Sequence, residues 1–268
     1  MKSWTKIALL ASLFLFSTGC VRFHVLIKMQ DSGAGKLFLR CLLSESLDDG
    51  KNTKINKEQL ENFTKLLGDG VRFVETSKVS EKGWKGFTIQ YEFDDINELR
   101  LPVHELSEIK DGTNEKEGSS STLSFSESGP WRFRYKPGDV NELVAFHEKQ
   151  TKPENTDDPF AEAGVELPDA PNAQLSSQLA VGFLKPMLQK ARFTVTVQVD
   201  GDIVETNAPS KLRSNSVHLF DADLKKLADS KQVEEVILGE WTMERAIREK
   251  VDGIHGLPSD KEITVKFR

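Results

Sequence analysis

From residue 21 the chain alternates. Val21, Phe23, Val25, Ile27 and Met29 are apolar, while Arg22, His24 and Lys28 are not, and only Leu26 breaks the rhythm. A period of two predicts a strand with one face on a core and one on solvent. DSGAG (31–35) is a turn and KLFLRCLL (36–43) the returning strand, so this part opens with a hairpin. VRFVET (71–76) and GFTIQYEF (86–93) read as strands, the second with Phe87, Ile89, Tyr91 and Phe93 inward. FTVTVQVDGDIVET (193–206), VHLFDAD (217–223) and the closing EITVKFR read the same way, and STLSFSES with WRFRYKPG predicts another hairpin around 121–138.

Helical spacing is rarer. Leu60, Phe63, Leu66 and Leu67 give an apolar face to a helix that starts near Asn56 and Gln59. A helix-like piece near 176–190 is interrupted by Pro186, LKKLAD follows the strand at 217–223, and 231–249 suggests a further helix. Asp139 and Glu142 resemble a capping box opening a short helix, DVNELVAF. In YEFDDINEL, YKPGDVNEL and FDADLKKL alike, an Asp is placed to cap a short helix whose Leu packs back.

LDDGKNTK (47–54) and residues 107–121 are polar loops. Residues 148–174 hold four prolines, seven acids and two lysines, a composition that opposes both helix and packed strand. The expected fold is therefore α+β: an antiparallel-rich sheet, flanking helices and a long disordered loop. A region 20–147 begins with the hairpin, 148–174 is linker, and 175–268 packs with the first region as one unit.

The N-terminus has a different pattern. Lys2 and Lys6 precede an apolar run, Ile7 to Phe16, then the small residues Ser17, Thr18 and Gly19, then Cys20. A run of about ten residues suits a signal peptide and is short for the ~20 of a membrane span. These residues resemble the signal of bacterial lipoproteins, with Ser17 where Leu is usual. The resemblance implies cleavage after Gly19, a lipid on the Cys20 sulfur and acylation of the new amine. An ordinary secretory signal with a chance cysteine and a transmembrane anchor are the alternatives. Each buried CH₂ of an acyl chain contributes about 0.8 kcal/mol, so two or three chains hold a protein on a bilayer almost permanently. Val21 is not the Asp associated with inner-membrane retention in enteric bacteria, which favours the outer membrane in a cell that has one.

Removing residues 1–19 leaves 249 residues, enough for a substantial core, and takes the net charge from −6 to −8. Such acidity argues against nucleic acid as a partner. With Cys20 lipidated, Cys41 has no disulfide partner, and it reads as a small apolar residue between Leu39 and Leu43.

Catalytic signatures are missing. There is no HExxH, CxxC pair or GxSxG. DSGAGKL lacks the first glycine of a P-loop, with Gln30 in its place, and Leu37 follows the lysine where Ser or Thr is needed. His24, His104, His147, His218 and His255 share no ligand-like spacing, and the pairs Asp48-Asp49, Asp94-Asp95 and Asp157-Asp158 fit no calcium loop. No cofactor, metal or catalytic residue is expected.

Charge placement is the one asymmetry. The outward positions of three strands carry Arg22, His24 and Lys28, then Lys36 and Arg40, then Arg132, Arg134 and Lys136, and no acid lies in those strand segments. Beside a lipid on Cys20, these residues would form a basic, membrane-facing surface for anionic headgroups, provided the three strands are neighbours; the alternative is a solvated sheet face, or one neutralised by Glu92 and the acidic 148–174 segment.

GCVRFHVLIKM with its Gly-containing turn, together with VTVQVDGDIVETNAPSKLRSNSVHLFDAD, resembles the LppM-like lipoprotein domain family. Asn207 matches the family's Asn, while Asp200 stands where Pro is expected before Gly201. The resemblance implies an α+β envelope domain in which the first and a late strand share a sheet, and it brings no catalytic motif. The expected function is a lipid-anchored, non-enzymatic binding or scaffolding module for lipid or an envelope protein. A protein-only assembly partner recruiting through the acidic loop, and a hydrolase without a recognisable motif, are the alternatives.

Overall fold

The structure, a computed structural model, describes residues 21–45, 57–102, 129–148, 185, 188–233, 235, 243–256, 258 and 260–268. The signal segment, the 107–121 loop, STLSFSES, nearly all of 148–174 and most of the 176–190 piece lie outside them.

The alternating segments form two sheets. The larger contains β1 (Val21–Met29), β2 (Gly35–Ser44), β3 (Val71–Glu81), β4 (Trp84–Phe93), β8 (Arg192–Val199), β10 (Ser210–Arg213) and β11 (Ser216–Asp223), in the order β10-β11-β8-β1-β2-β4-β3. β12 (Ile254–Gly256) also pairs with β11. The smaller sheet runs β5-β6-β7-β13-β9, from β5 (Arg100–Leu101), β6 (Trp131–Lys136), β7 (Asn141–His147), β13 (Ile263–Phe267) and β9 (Ile203–Thr206). Pairing is antiparallel except between β1 and β8, where Val25 faces Val195 and Ile27 faces Val197. The first and a late strand thus share a sheet, and each sheet draws strands from both sides of the 148–174 segment.

Alternation decides what fills the space between the sheets. Val25, Ile27, Leu37, Leu39, Ile89 and Tyr91 of the larger sheet join Leu101, Phe133, Leu143, Val265 and Phe267 of the smaller in one buried cluster. Burying each such side chain contributes about 1.5–3 kcal/mol. Helix α1 (Lys57–Leu66) adds Leu60 and Phe63, whose ring lies 6.2 Å from that of Tyr91.

One end of the two sheets is pinned by polar side chains. The Tyr135 hydroxyl donates to the Asp31 carbonyl oxygen at 2.7 Å, and the Tyr135 amide donates to Asn97 Oδ1 at 2.7 Å. Asn207 serves the sheet edge: its Oδ1 accepts from the Thr264 amide at 2.7 Å and its Nδ2 donates to the Glu262 carbonyl at 3.0 Å.

Three expectations change. The fold is sheet-rich and its helices are few: besides α1, the described ones are α2 (Leu224–Asp229) and α3 (Met243–Arg248), the latter falling within 231–249, of which 234 and 236–242 lie outside the described residues. DVNELVAF is no helix; its core is β7, the hairpin partner of β6, and Leu143 and Ala145 face inward while Val144 pairs with Arg134. Of the three proposed Asp caps, Asp95 accepts from the Asn97 amide at a 3₁₀ turn (Ile96–Glu98), Asp223 precedes α2 without a side-chain cap bond, and Asp139 precedes a strand.

Candidate functional site

The cationic positions named from sequence fall on two different surfaces. β1 and β2 are neighbours, and their register sets His24 beside Arg40 and Lys28 beside Lys36, on the face of the larger sheet turned away from the core, as is Arg22. β6 belongs to the other sheet, so Arg132, Arg134 and Lys136 lie on that sheet's outer face. No single surface joins all eight residues. Pairing register and sheet membership are non-local, and the alternation of each strand alone does not carry them.

Neighbouring acids also offset much of this charge. Lys36 lies 3.3 Å from Glu92, Arg40 2.8 Å from Glu81, and Arg134 3.2 Å from Glu262. Arg132 approaches Glu148 at 4.0 Å. Arg22 stacks over the Trp84 ring at 4.1 Å and Lys28 sits 5.4 Å from the Phe38 ring centre, contacts worth roughly 0.5–1 kcal/mol when exposed.

His24 is not one of the cations. Burial lowers its pKa to about 4, helped by the positive charges of Arg192, Arg40 and Arg22 and opposed by Asp221. It is neutral at pH 7, and its Nδ1 lies 2.8 Å from Thr194 Oγ1. One strand over, Thr196 Oγ1 meets His218 Nδ1 at 3.0 Å, and burial lowers the His218 pKa as well. Beside them Arg192 makes two bonds to Asp221, Nε to Oδ1 at 3.0 Å and Nη2 to Oδ2 at 2.9 Å.

Sequence reasoning did not nominate Thr194, Arg192 or Asp221. Their signal was the outward alternation within FTVTVQV and the position of Asp221 in a strand otherwise buried. A hydroxyl beside an imidazole beside a carboxylate resembles a catalytic relay, but the bonding differs. Asp221 bonds Arg192 through both oxygens and makes no hydrogen bond to His24, and Thr194 is 3% exposed, which leaves its oxygen no room for a substrate. The arrangement does structural work: it joins β1, β8 and β11 through polar side chains.

Cys41 is half-buried, and burial raises its thiol pKa to about 11, which makes it a poor nucleophile near neutrality. Among the described residues no group of three or more His, Cys, Asp or Glu is placed to hold a metal ion, and no helix is long and apolar enough to cross a membrane.

No family model matches the chain, and no curated protein matches it. Among solved structures it is similar to the NMR structure of the folded domain of LppM from Mycobacterium tuberculosis, with 8% identity and a TM-score of 0.31 over 93% of this chain and 90% of that one.

Proposed function

We propose that the chain is a lipoprotein of the bacterial cell envelope, anchored through acyl chains on Cys20 and sited on the outer membrane where the cell has one. Its folded part is a non-enzymatic, membrane-proximal module that binds or scaffolds lipid or another envelope protein. One observation carries this reading. In the sequence Cys20 directly precedes Val21, the first residue of β1, and β1 is an interior strand with β8 on one side and β2 on the other. A lipid on that cysteine leaves no tether, and consecutive Cα atoms are only about 3.8 Å apart. The folded body would then work at the bilayer surface.

The test is metabolic labelling with a palmitate analogue and mass analysis of the N-terminal peptide. The expected result is a label on a chain beginning at Cys20, and loss of both the label and the cleavage after Gly19 in a Cys20→Ala variant. An unlabelled soluble chain overturns the reading, as does a native chain retained in the membrane fraction unlabelled with residues 1–19 uncleaved.

A further inference from the structure

The paired charges on the outer faces direct attention to the strand ends. β1 and β8 begin at one end of the larger sheet. The register brings to that end the finish of β2, the β3–β4 turn, the finish of β11 with α2, and the start of β12. This is the end at which Cys20 joins. The opposite end holds the β1–β2 turn, the entry to β3, the exit from β4 and the β8–β9 turn.

The two ends differ in charge. At the far end the connections 30–34, 67–70, 94–99 and 200–202 carry seven acids, among them Asp31, Asp69, Asp94 and Asp200, and no lysine or arginine of their own, although Arg72 pairs with Asp94 and Arg268 and Lys136 flank them. At the end next to Cys20 the described connections 45, 82–83, 188–191, 224–233 and 249–253 carry six lysines against four acids. Lys82, Lys190, Lys225, Lys226 and Lys250 are exposed there. Lys82 sits at the tip of the β3–β4 hairpin with a φ of 27°, followed by Gly83 at 83°. In a protein acidic overall, the described connections at the end where the anchor would be therefore carry more lysines than acids.

We infer that this lysine-bearing rim of strand ends is the surface that meets an anionic bilayer, holding the strands upright with the acidic turns turned away from it. The inference rests on the anchored reading above. Distance separates attraction from repulsion: nine residues of β1 at about 3.3 Å each put the acidic turns roughly 30 Å from the rim, beyond the ~10 Å over which charges act at 0.1 M salt. A domain lying on its sheet face would instead present Lys36 and Arg40 with their acids Glu92 and Glu81.

The full lipidated chain tests this. It is reconstituted into vesicles of neutral phosphatidylcholine or of phosphatidylcholine with phosphatidylglycerol, and acylation of each lysine is followed by mass spectrometry against the same protein in detergent. The expected result is at least fivefold slower modification of Lys82, Lys190, Lys225, Lys226 and Lys250 in the anionic vesicles, relieved by 0.5 M salt, with less than twofold change at Lys36 and Lys136. Equal protection at both ends, protection of the far end, or protection that is the same in neutral vesicles overturns the inference while the anchor stands. A chain whose Cys20 carries no lipid and which stays off both vesicles overturns the anchored reading itself.

Discussion

His24 on β1 and Thr194 on β8 face each other across the parallel junction, with 2.8 Å between Nδ1 and Oγ1. Three guanidinium groups, those of Arg192, Arg40 and Arg22, disfavour a further positive charge there, and burial disfavours it more, while Asp221 alone favours it. The imidazole pKa falls from an ordinary 6.5 to about 4 on folding. The unfolded chain therefore takes up the proton first. The stability that neutral His24 contributes is complete above pH 6.5 and is lost as pH falls from there toward 4. His24→Gln removes this titration. Urea unfolding at pH 7 and pH 4.5 should show the native protein losing about 2 kcal/mol more than the variant over that interval, after allowance for solvent screening. Equal losses in both would remove His24 from the account.

Asp221 is 8% exposed and holds Arg192 by two bonds. Asp221→Asn keeps the shape but leaves a partly buried guanidinium without its counter-charge, and should cost about 1–3 kcal/mol. Glu262→Gln removes an exposed partner of Arg134 and should leave the unfolding midpoint unchanged. Matching midpoints for the two variants would show that burial does not separate these pairs.

Gly83 and Gly201 both have positive φ, 83° and 131°, but their surroundings differ. A Cβ on Gly83 meets nothing within 4 Å, whereas one on Gly201 runs into the Arg268 carbonyl oxygen. Gly83→Ala should cost about 1 kcal/mol, from backbone conformation alone. Gly201→Ala should cost at least about twice that, because the pairing of the β8–β9 turn with the end of β13 must shift as well. Thermal unfolding of the two variants side by side reads the difference.

These costs sit in features of unequal visibility in the sequence. The strands around Val25, Ile89 and Val195 were legible because one face is apolar and the other is not. β7 was not: Leu143, Val144, Ala145 and Phe146 form a continuous apolar run that fits helix or strand, and Asp139 with Glu142 imitates a helix start. The tie-breaker is tertiary. Asn141 Oδ1 accepts from the Gly138 amide at 3.2 Å and lies 3.1 Å from the Tyr135 hydroxyl oxygen, closing a hairpin that only the folded sheet reveals. The basic positions were legible one strand at a time, and so was Glu92 as a neutralising neighbour, but not the division of β1 and β6 between two sheets, nor Glu81 and Glu262 as the acids that meet Arg40 and Arg134. The lysines at the strand ends escaped notice because Lys82, Lys190, Lys226 and Lys250 are far apart in sequence and are gathered only by strand direction.

Tyr91 gives the last prediction, in which removing a polar atom is expected to help. Its side chain is fully buried, between Phe63 and Phe73, whose ring centres lie 6.2 and 6.0 Å away. Alternation requires an apolar residue at this position, facing inward between Ile89 and Phe93. The ring meets that requirement, but the hydroxyl has no hydrogen-bond partner among the described residues, and burial raises its pKa. An unpaired buried hydroxyl costs on the order of 1–3 kcal/mol in lost hydration. Phenylalanine keeps the ring contacts and removes that cost, at the expense of a void the size of one oxygen. Tyr91→Phe should therefore leave stability unchanged or raise it by up to about 1 kcal/mol in urea unfolding at pH 7. Tyr91→Leu, which also gives up the ring contacts, should lower it by about 1–3 kcal/mol. A clear loss in Tyr91→Phe would mean that the hydroxyl is bonded in solution, to a buried water or to a segment that closes over the core.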